Sequence, residues 1–337
     1  MLKYIIKRLF QGIFVVIGIS ILIFIISRVV PGDPARMALG PRAPQFAVDE
    51  LRKEMNLDKP LPVQYYYWFK GVIKGDFGKS LNTKRPVITD VKEFLPATLE
   101  LALLSGFLFI IFATIIGLLS AQYRDTWVDG LTRILSYVGI AIPSFVVAVL
   151  LLLIFGYLWP VIPTLGRLSS NITPPPTITG LITVDSLITG NFAAFFDALK
   201  HLILPAIALA IGPLFQEARI LRSALIDNIN KEYISVVTGY GLPKGVIMRK
   251  HLLKPSFIPV VSVMGLDFAS LMGNAFLVES IFNWPGLSRY GINAMLNKDL
   301  NAISAVIIIY GVIFLIVNII VDLIIAWLDP RIRLGGE

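Results

Sequence analysis

The chain has 337 residues, 56% of them hydrophobic and 15% charged, with a mean hydropathy of +0.77; a water-facing surface does not tolerate that ratio, so a lipid bilayer is the expected solvent. The net charge of +8 comes from Lys and Arg dispersed between apolar runs, with no basic cluster, so it reads membrane orientation and no nucleic-acid partner is expected. With no cysteine, disulfides, thiolate metal sites and a cysteine nucleophile are all excluded.

A helix needs about 20 apolar residues to cross roughly 30 Å of hydrocarbon. Six stretches approach this, so the expected fold is an all-α polytopic membrane protein with six transmembrane helices and a small extracytoplasmic insert after the first. The first span, Leu9 to Ser27, follows Lys3, Lys7 and Arg8 and reads as an uncleaved signal anchor. With the N-terminal tail it forms a unit over residues 1–30. Residues 31–96 are the insert, with helical signals from Asp49 to Asn56 and an aromatic cluster from Tyr65 to Phe69, whose amphipathic rings suit a headgroup layer.

Residues 97–328 form a five-helix core. Its spans run from Ala97 to Ala121, Ile134 to Leu158, Leu202 to Phe215, Phe257 to Phe276 and Ala302 to Val321; the fourth is short unless it continues past Glu217. Between the third and fourth lies a stiff Pro174-Pro175-Pro176 stretch. Span five carries Gly265, Ala269 and Gly273 every four residues, a spacing that lets helices approach closely. It also carries Asp267, with these boundaries the lone ionisable group well inside a span, and such groups normally face protein or water. Residues 329–337 form a tail. The short segments on the N-terminal side hold most of the basic residues, including Arg124, Arg133, Arg219, Arg222, Lys231, Lys244, Arg249, Lys250 and Lys254, against Arg167, Lys200, Arg289 and Lys298 on the other side. Both termini are therefore expected in the cytoplasm.

Familiar reaction chemistry is absent. Gly78-Lys79-Ser80 lacks the first glycine of a phosphate-binding loop, and His201 and His251 fall on opposite sides of the expected membrane with no metalloprotease or nucleophile-elbow pattern around them.

The most specific local chemistry runs from Asp227 to Pro259, around a loop at 223–256. Asp227, Asn228 or Asn230 can cap a short helix ending at Gly241, which suits a left-handed C-cap; Pro243 suits the first turn of a second helix, Lys244 to Leu253, which Pro255 is expected to end. This hairpin could lie on anionic lipid or plug a cleft on a soluble partner. Here the chain resembles the permease subunits of ABC importers of the oligopeptide and dipeptide type. Glu232-Tyr233-Ile234, Gly241-Leu242 and Ile258-Pro259 resemble the cytoplasmic signature loop of that family, in which a proline opens the next span. Pro31-Gly32-Asp33-Pro34, Leu57-Asp58-Lys59-Pro60, Gly75-Asp76-Phe77-Gly78, Pro96-Ala97-Thr98-Leu99-Glu100, Leu204-Pro205-Ala206, Trp284-Pro285-Gly286-Leu287 and Asp329-Pro330-Arg331 extend the likeness over nearly the whole chain. Val237 and Gly239 depart from it, standing where small alanine-like residues are usual.

The resemblance implies a type I ABC importer permease in a prokaryotic cell membrane, pairing with a second, homologous permease. Two cytoplasmic ATPase subunits would bind ATP and Mg and grip the loop bearing Glu232, Tyr233, Val237, Gly239, Gly241, Leu242 and Pro259. An extracytoplasmic binding protein would deliver peptides. The chain itself would bind no cofactor and perform no hydrolysis. Asp267, Ser270 and Asn274 are the candidates for the translocation pathway. Asp267 would meet the positive end of a substrate or, alternatively, pair with a basic residue of the partner permease. Pro143 and Gly212-Pro213 inside spans keep open the alternative of a secondary transporter or channel without ATPases.

Overall fold

The computed structural model describes residues 2–29, 34–40 and 42–329; the Pro31-Gly32-Asp33 part of one motif and most of the 329–337 tail lie outside them. Among the described residues there is no strand, only an isolated bridge between Lys79 and Pro86. Five helices are long and apolar enough to span a bilayer: α1 (Leu2–Val29), α5 (Val87–Gln122), α9 (Phe192–Ile229), α12 (Lys254–Ile281) and α14 (Leu300–Leu328). The insert contributes α2 (Pro34–Leu39), α3 (Gln45–Glu54) and α4 (Leu61–Ile73).

The third expected span is not one straight helix. It divides into α6 (Trp127–Ala141) and α7 (Ser144–Leu153), the latter continued by a π-helical turn to Leu158, with a 100° bend between them. The cause is local: Pro143 has no N–H to donate and pushes Ile142 into extended backbone, at φ −82° and ψ 121°. Counting the pair as one broken span gives six. The fourth span is far longer than Leu202 to Phe215, because α9 runs on through Glu217 to Ile229.

α9 is the axis of the bundle. It packs along α5 and against α12, α6, α7 and the short α8 (Ile182–Ile188), while α1 sits at the periphery against α14 and α4. Gly117 lets α5 and α9 approach: a Cβ there would stand 3.0 Å from the Ala218 carbonyl oxygen. Outward faces carry Phe10, Phe14, Leu22, Ile316 and Ile320 exposed, as lipid solvation permits.

Polar braces fix the two ends. At one, Arg222 donates to buried Asp129 from Nε at 2.5 Å and Nη2 at 2.7 Å, Arg8 pairs with Asp322 at 2.9 Å, and Lys254 sits over the Trp327 ring. Both ends of the described chain therefore share this end with the start of α12. At the other, the resemblance motifs converge through α13 (Leu287–Leu296). Thr98 donates to Glu279 at 2.6 Å and accepts from the Leu287 N–H, and the Trp284 indole donates to the Ala97 carbonyl. Glu100 holds Arg167 and Thr183. Asp299 accepts from Ser80 and the Leu81 and Asn82 amides, tying the insert to α14. The aromatic cluster is a docking face as much as a headgroup anchor: Tyr65 hydrogen-bonds Ser20 and packs with Trp68 on Phe24 of α1, leaving Tyr66 and Tyr67 exposed.

Candidate functional site

A cavity of about 240 Å³ opens where α9, α12 and the α6–α7 bend meet. Its walls include Asp267, Ser270 and Asn274 from α12, Gly212, Pro213 and Gln216 from α9, and Ile142 and Ser144 from the bend. All three residues expected on the pathway thus share one wall. Pro213 has no N–H for the Leu209 carbonyl one turn back, and Leu209 lines the same space. The break at Pro143 and the proline inside the continuous α9 therefore meet at this cavity, and interrupted membrane helices often line binding sites.

Gln216 donates from Nε2 to the Asp267 carboxylate at 3.3 and 3.4 Å. Asp267 is not the lone ionisable group of the membrane core: Glu217 on α9 is fully buried and acts electrostatically on it. The shortness of the Leu202–Phe215 stretch was the signal for this, since a full crossing had to take Gln216 and Glu217 into the bilayer.

Of the small-residue stripe, Gly265 makes a close approach, a Cβ there standing 2.8 Å from Val321 Cγ2 of α14, and Ala269 is half-buried. Gly273 has open space on its Cβ side, with nothing within 4 Å among the described residues.

The segment expected to engage a partner stands at the end of the bundle shared by both ends of the described chain. α10 (Glu232–Gly239) follows α9 after a sharp break. Its N-cap is Lys231 without a side-chain cap bond, correcting the assignment to Asp227, Asn228 or Asn230. Asn228 is instead buried and donates to Ser256 at 2.8 Å, joining α9 to α12. Ile234 and, in part, Val237 pack into the core, while Tyr233 donates to the His251 carbonyl at 3.1 Å; partial burial pushes its phenol up, keeping it a donor. Glu232 in the first turn suits the positive end of the helix. Gly239 closes α10 with nothing near its Cβ position, and Gly241 turns the chain at φ +73°. Val236, Tyr240 and Leu242 stay exposed, Tyr240 at 82%.

After Pro243 the chain enters α11 (Lys244–Val246), a π-helical stretch Ile247–Leu253, and then α12 without a break. Pro255 does not end this helix and Pro259 does not open the next: both lie within α12, Pro255 in its first turn, where a missing N–H costs least. The wider π turn just before it absorbs the misfit. Pro259 lines an 800 Å³ cavity with Lys231, Tyr233, His251 and Lys254. From Lys254 to Asp267 the rise along α12 is about 20 Å, so the helix that begins just after the exposed segment runs to the membrane cavity without a break.

Residues 113–334 match the family described as binding-protein-dependent transport system inner membrane component, and residues 1–102 match the N-terminal region of such components. The chain belongs to this family. It is 38% identical over 331 residues to the probable D,D-dipeptide transport system permease protein of Escherichia coli, covering 98% of this chain and 97% of that one. It is 36% identical to the dipeptide transport system permease protein of Alkalihalophilus pseudofirmus, covering 99% and 100%. With the glutathione transport system permease protein of Salmonella typhimurium it shares 32% identity over 99% of both. The expected likeness to peptide ABC importer permeases therefore holds. This permease is a multi-pass membrane protein working in a transport complex, and its relatives include dipeptide and glutathione permeases.

Proposed function

We propose that this chain is one of two permease subunits of an ATP-driven importer and forms half of the pathway for di- or oligopeptides handed over by an extracytoplasmic binding protein. Two ATPase subunits, which bind the ATP and Mg, grip α10 and the turn at Gly241 from the cytoplasm, where both termini also lie. The observation that carries the reading is mechanical. The exposed apolar edge of Val236, Tyr240 and Leu242 joins, through Gly241 and Pro243, the unbroken helix bearing Asp267, Ser270 and Asn274. An exposed apolar edge beside basic residues fits a cleft on a soluble protein, and a rotation imposed there reaches the cavity as a rigid-body movement of α12. This chain hydrolyses nothing; it converts closure of the ATPase pair into opening of one side or the other.

Purification from native membranes should bring down two ATPase chains and a second permease. Tyr240→Ala, which removes an exposed ring and no internal contact, should leave the complex assembled but lower ATP-driven peptide uptake at least tenfold. Undiminished uptake with ATPases bound would show that α10 is not the grip. At the cavity, Asp267→Asn should weaken apparent affinity for peptides. Unchanged affinity for both cationic and neutral peptides in an intact complex would remove Asp267 from the path.

A further inference from the structure

Glu217 is completely buried, and neither of its carboxylate oxygens has a hydrogen-bond partner among the described residues. It lies close enough to Asp267 for the two carboxyls to act on each other and to share a proton. One member of this pair is fully buried on α9, while the other stands on the cavity wall. Two adjacent carboxylates in a low-dielectric setting cannot both stay ionised unless a cation or a proton sits with them.

Among the described residues no ion pair reaches either carboxyl, and Arg222, five residues beyond Glu217 on α9, is already taken by Asp129. Gln216 offers Asp267 an uncharged amide. The first turn of α7 opens at Ser144 on the same wall and brings about half a positive charge at most. That leaves the pair more than one charge short, and the balance has to come from what enters the cavity. The buried acids that act as braces are matched: Asp129, Glu100 and Asp90 each have an arginine in place, while Glu279 and Asp299 accept hydrogen bonds from hydroxyls and backbone amides.

We propose that Glu217 and Asp267 together form a binding site for one primary ammonium group, the amino terminus of a peptide in transit, and that the pair holds a proton in its place when the cavity is empty. The proposal rests on the import reading above and names the chemistry of its membrane site. At about 240 Å³ the cavity is smaller than the roughly 300–1,000 Å³ of a complete small-molecule site, so it takes the end of a peptide rather than the whole. Ser270 and Asn274, one and two turns along α12 from Asp267, line the path on from it. A primary ammonium has three donors and one charge: Asp267 accepts from it directly on the cavity wall, and the buried Glu217 behind it adds the second carboxyl to the attraction.

The test uses the whole complex, purified with its partner subunits in lipid nanodiscs, and dicyclohexylcarbodiimide, which reacts with a protonated carboxyl in apolar surroundings. Peptide mapping by mass spectrometry should find Glu217 or Asp267 labelled in the empty complex. Dialanine should suppress that label and N-acetyl-dialanine at the same concentration should not, because acetylation removes the ammonium and keeps the rest. Labelling unaffected by either peptide would mean a proton alone balances the pair. Equal suppression by both would mean peptide contact without amine recognition, and no labelling under any condition would mean a fixed cation from the partner permease. Each overturns the proposal. Glu217→Gln keeps the shape of the side chain and should abolish the difference between the two peptides at Asp267; if that variant fails to assemble, Asp267→Asn, at the half-exposed position, asks the same question at Glu217. Failure of the import reading itself would show elsewhere, as an absence of ATPase subunits from the purified complex.

Discussion

Two glycines separated by one residue make opposite demands on the segment that leads into α12. Gly241 holds φ +73°, where a Cβ costs about 1–2 kcal/mol, whereas Gly239 sits in the last turn of α10 with nothing within 4 Å of its Cβ position. Gly239→Ala should therefore raise helix propensity by up to roughly 1 kcal/mol and leave uptake intact, while Gly241→Ala should lower ATP-driven uptake severalfold; equal effects in a transport assay would deny the turn its role. Asp185 provides a residue-level test outside the membrane. Its burial alone would raise the carboxyl, but the Thr179 hydroxyl and the amides of Thr179, Ile178 and Gly180 outweigh that and hold it below the ordinary carboxylate range. A lowered native value stabilises the fold fully above about pH 4, and this is lost as pH falls through it. Asp185→Asn should cost roughly 1–3 kcal/mol at neutral pH, and its melting temperature should converge on that of the parent in acid. A constant gap across pH would show that the charged form is not what the loop binds.

Among the elements, what could be read in advance was set by how local the cause is. Hydropathy located α1, α5, α12 and α14 because long apolar runs have no other home, and Gly241 announced its turn because few other residues adopt that conformation. The end of α9 was not legible, since Gln216, Glu217, Arg219 and Arg222 look like a departure from the membrane until Asp267 on α12 is seen to receive Gln216 and Asp129 on α6 to receive Arg222. The fate of Pro255 was equally hidden: proline usually stops a helix, but the π turn before it is a tertiary accommodation. Pro143 lay in plain view, yet the size of the bend depends on α7 finding α9 to pack against. That bend can be measured directly. With spin labels at Leu131→Cys and Tyr157→Cys, both exposed, a straight helix would separate the backbone sites by about 40 Å and the 100° bend brings them to about 25 Å. Pulsed electron resonance should return the shorter distance, and Pro143→Ala should broaden it toward the longer. A distance near 40 Å in the parent would mean an unbroken span.

For the molecule as a whole, the direction of the bundle across the bilayer decides whether the mechanism can operate. Arg8 with Asp322 and Lys254 with Trp327 place the first and last helices at the same end as α10, so all three face one compartment, while α13 with Leu296 lies at the other. The excess of Lys and Arg at the α10 end favours the cytoplasm for it, and ATP is available there. Because the chain has no cysteine, single introduced cysteines report this without background. A membrane-impermeant maleimide should label Leu296→Cys in cells with a permeable outer layer and an intact inner membrane, and should reach Tyr240→Cys only after that membrane is broken. Both positions are well exposed in this chain, at 77% and 82%, so failure to react reflects the barrier or a bound subunit. Labelling of the ATPase-free chain separates the two, since Tyr240→Cys should then react in inverted vesicles. The reverse pattern would put the grip on the wrong side of the membrane from its energy source, and no rigid-body link through α12 could then drive import.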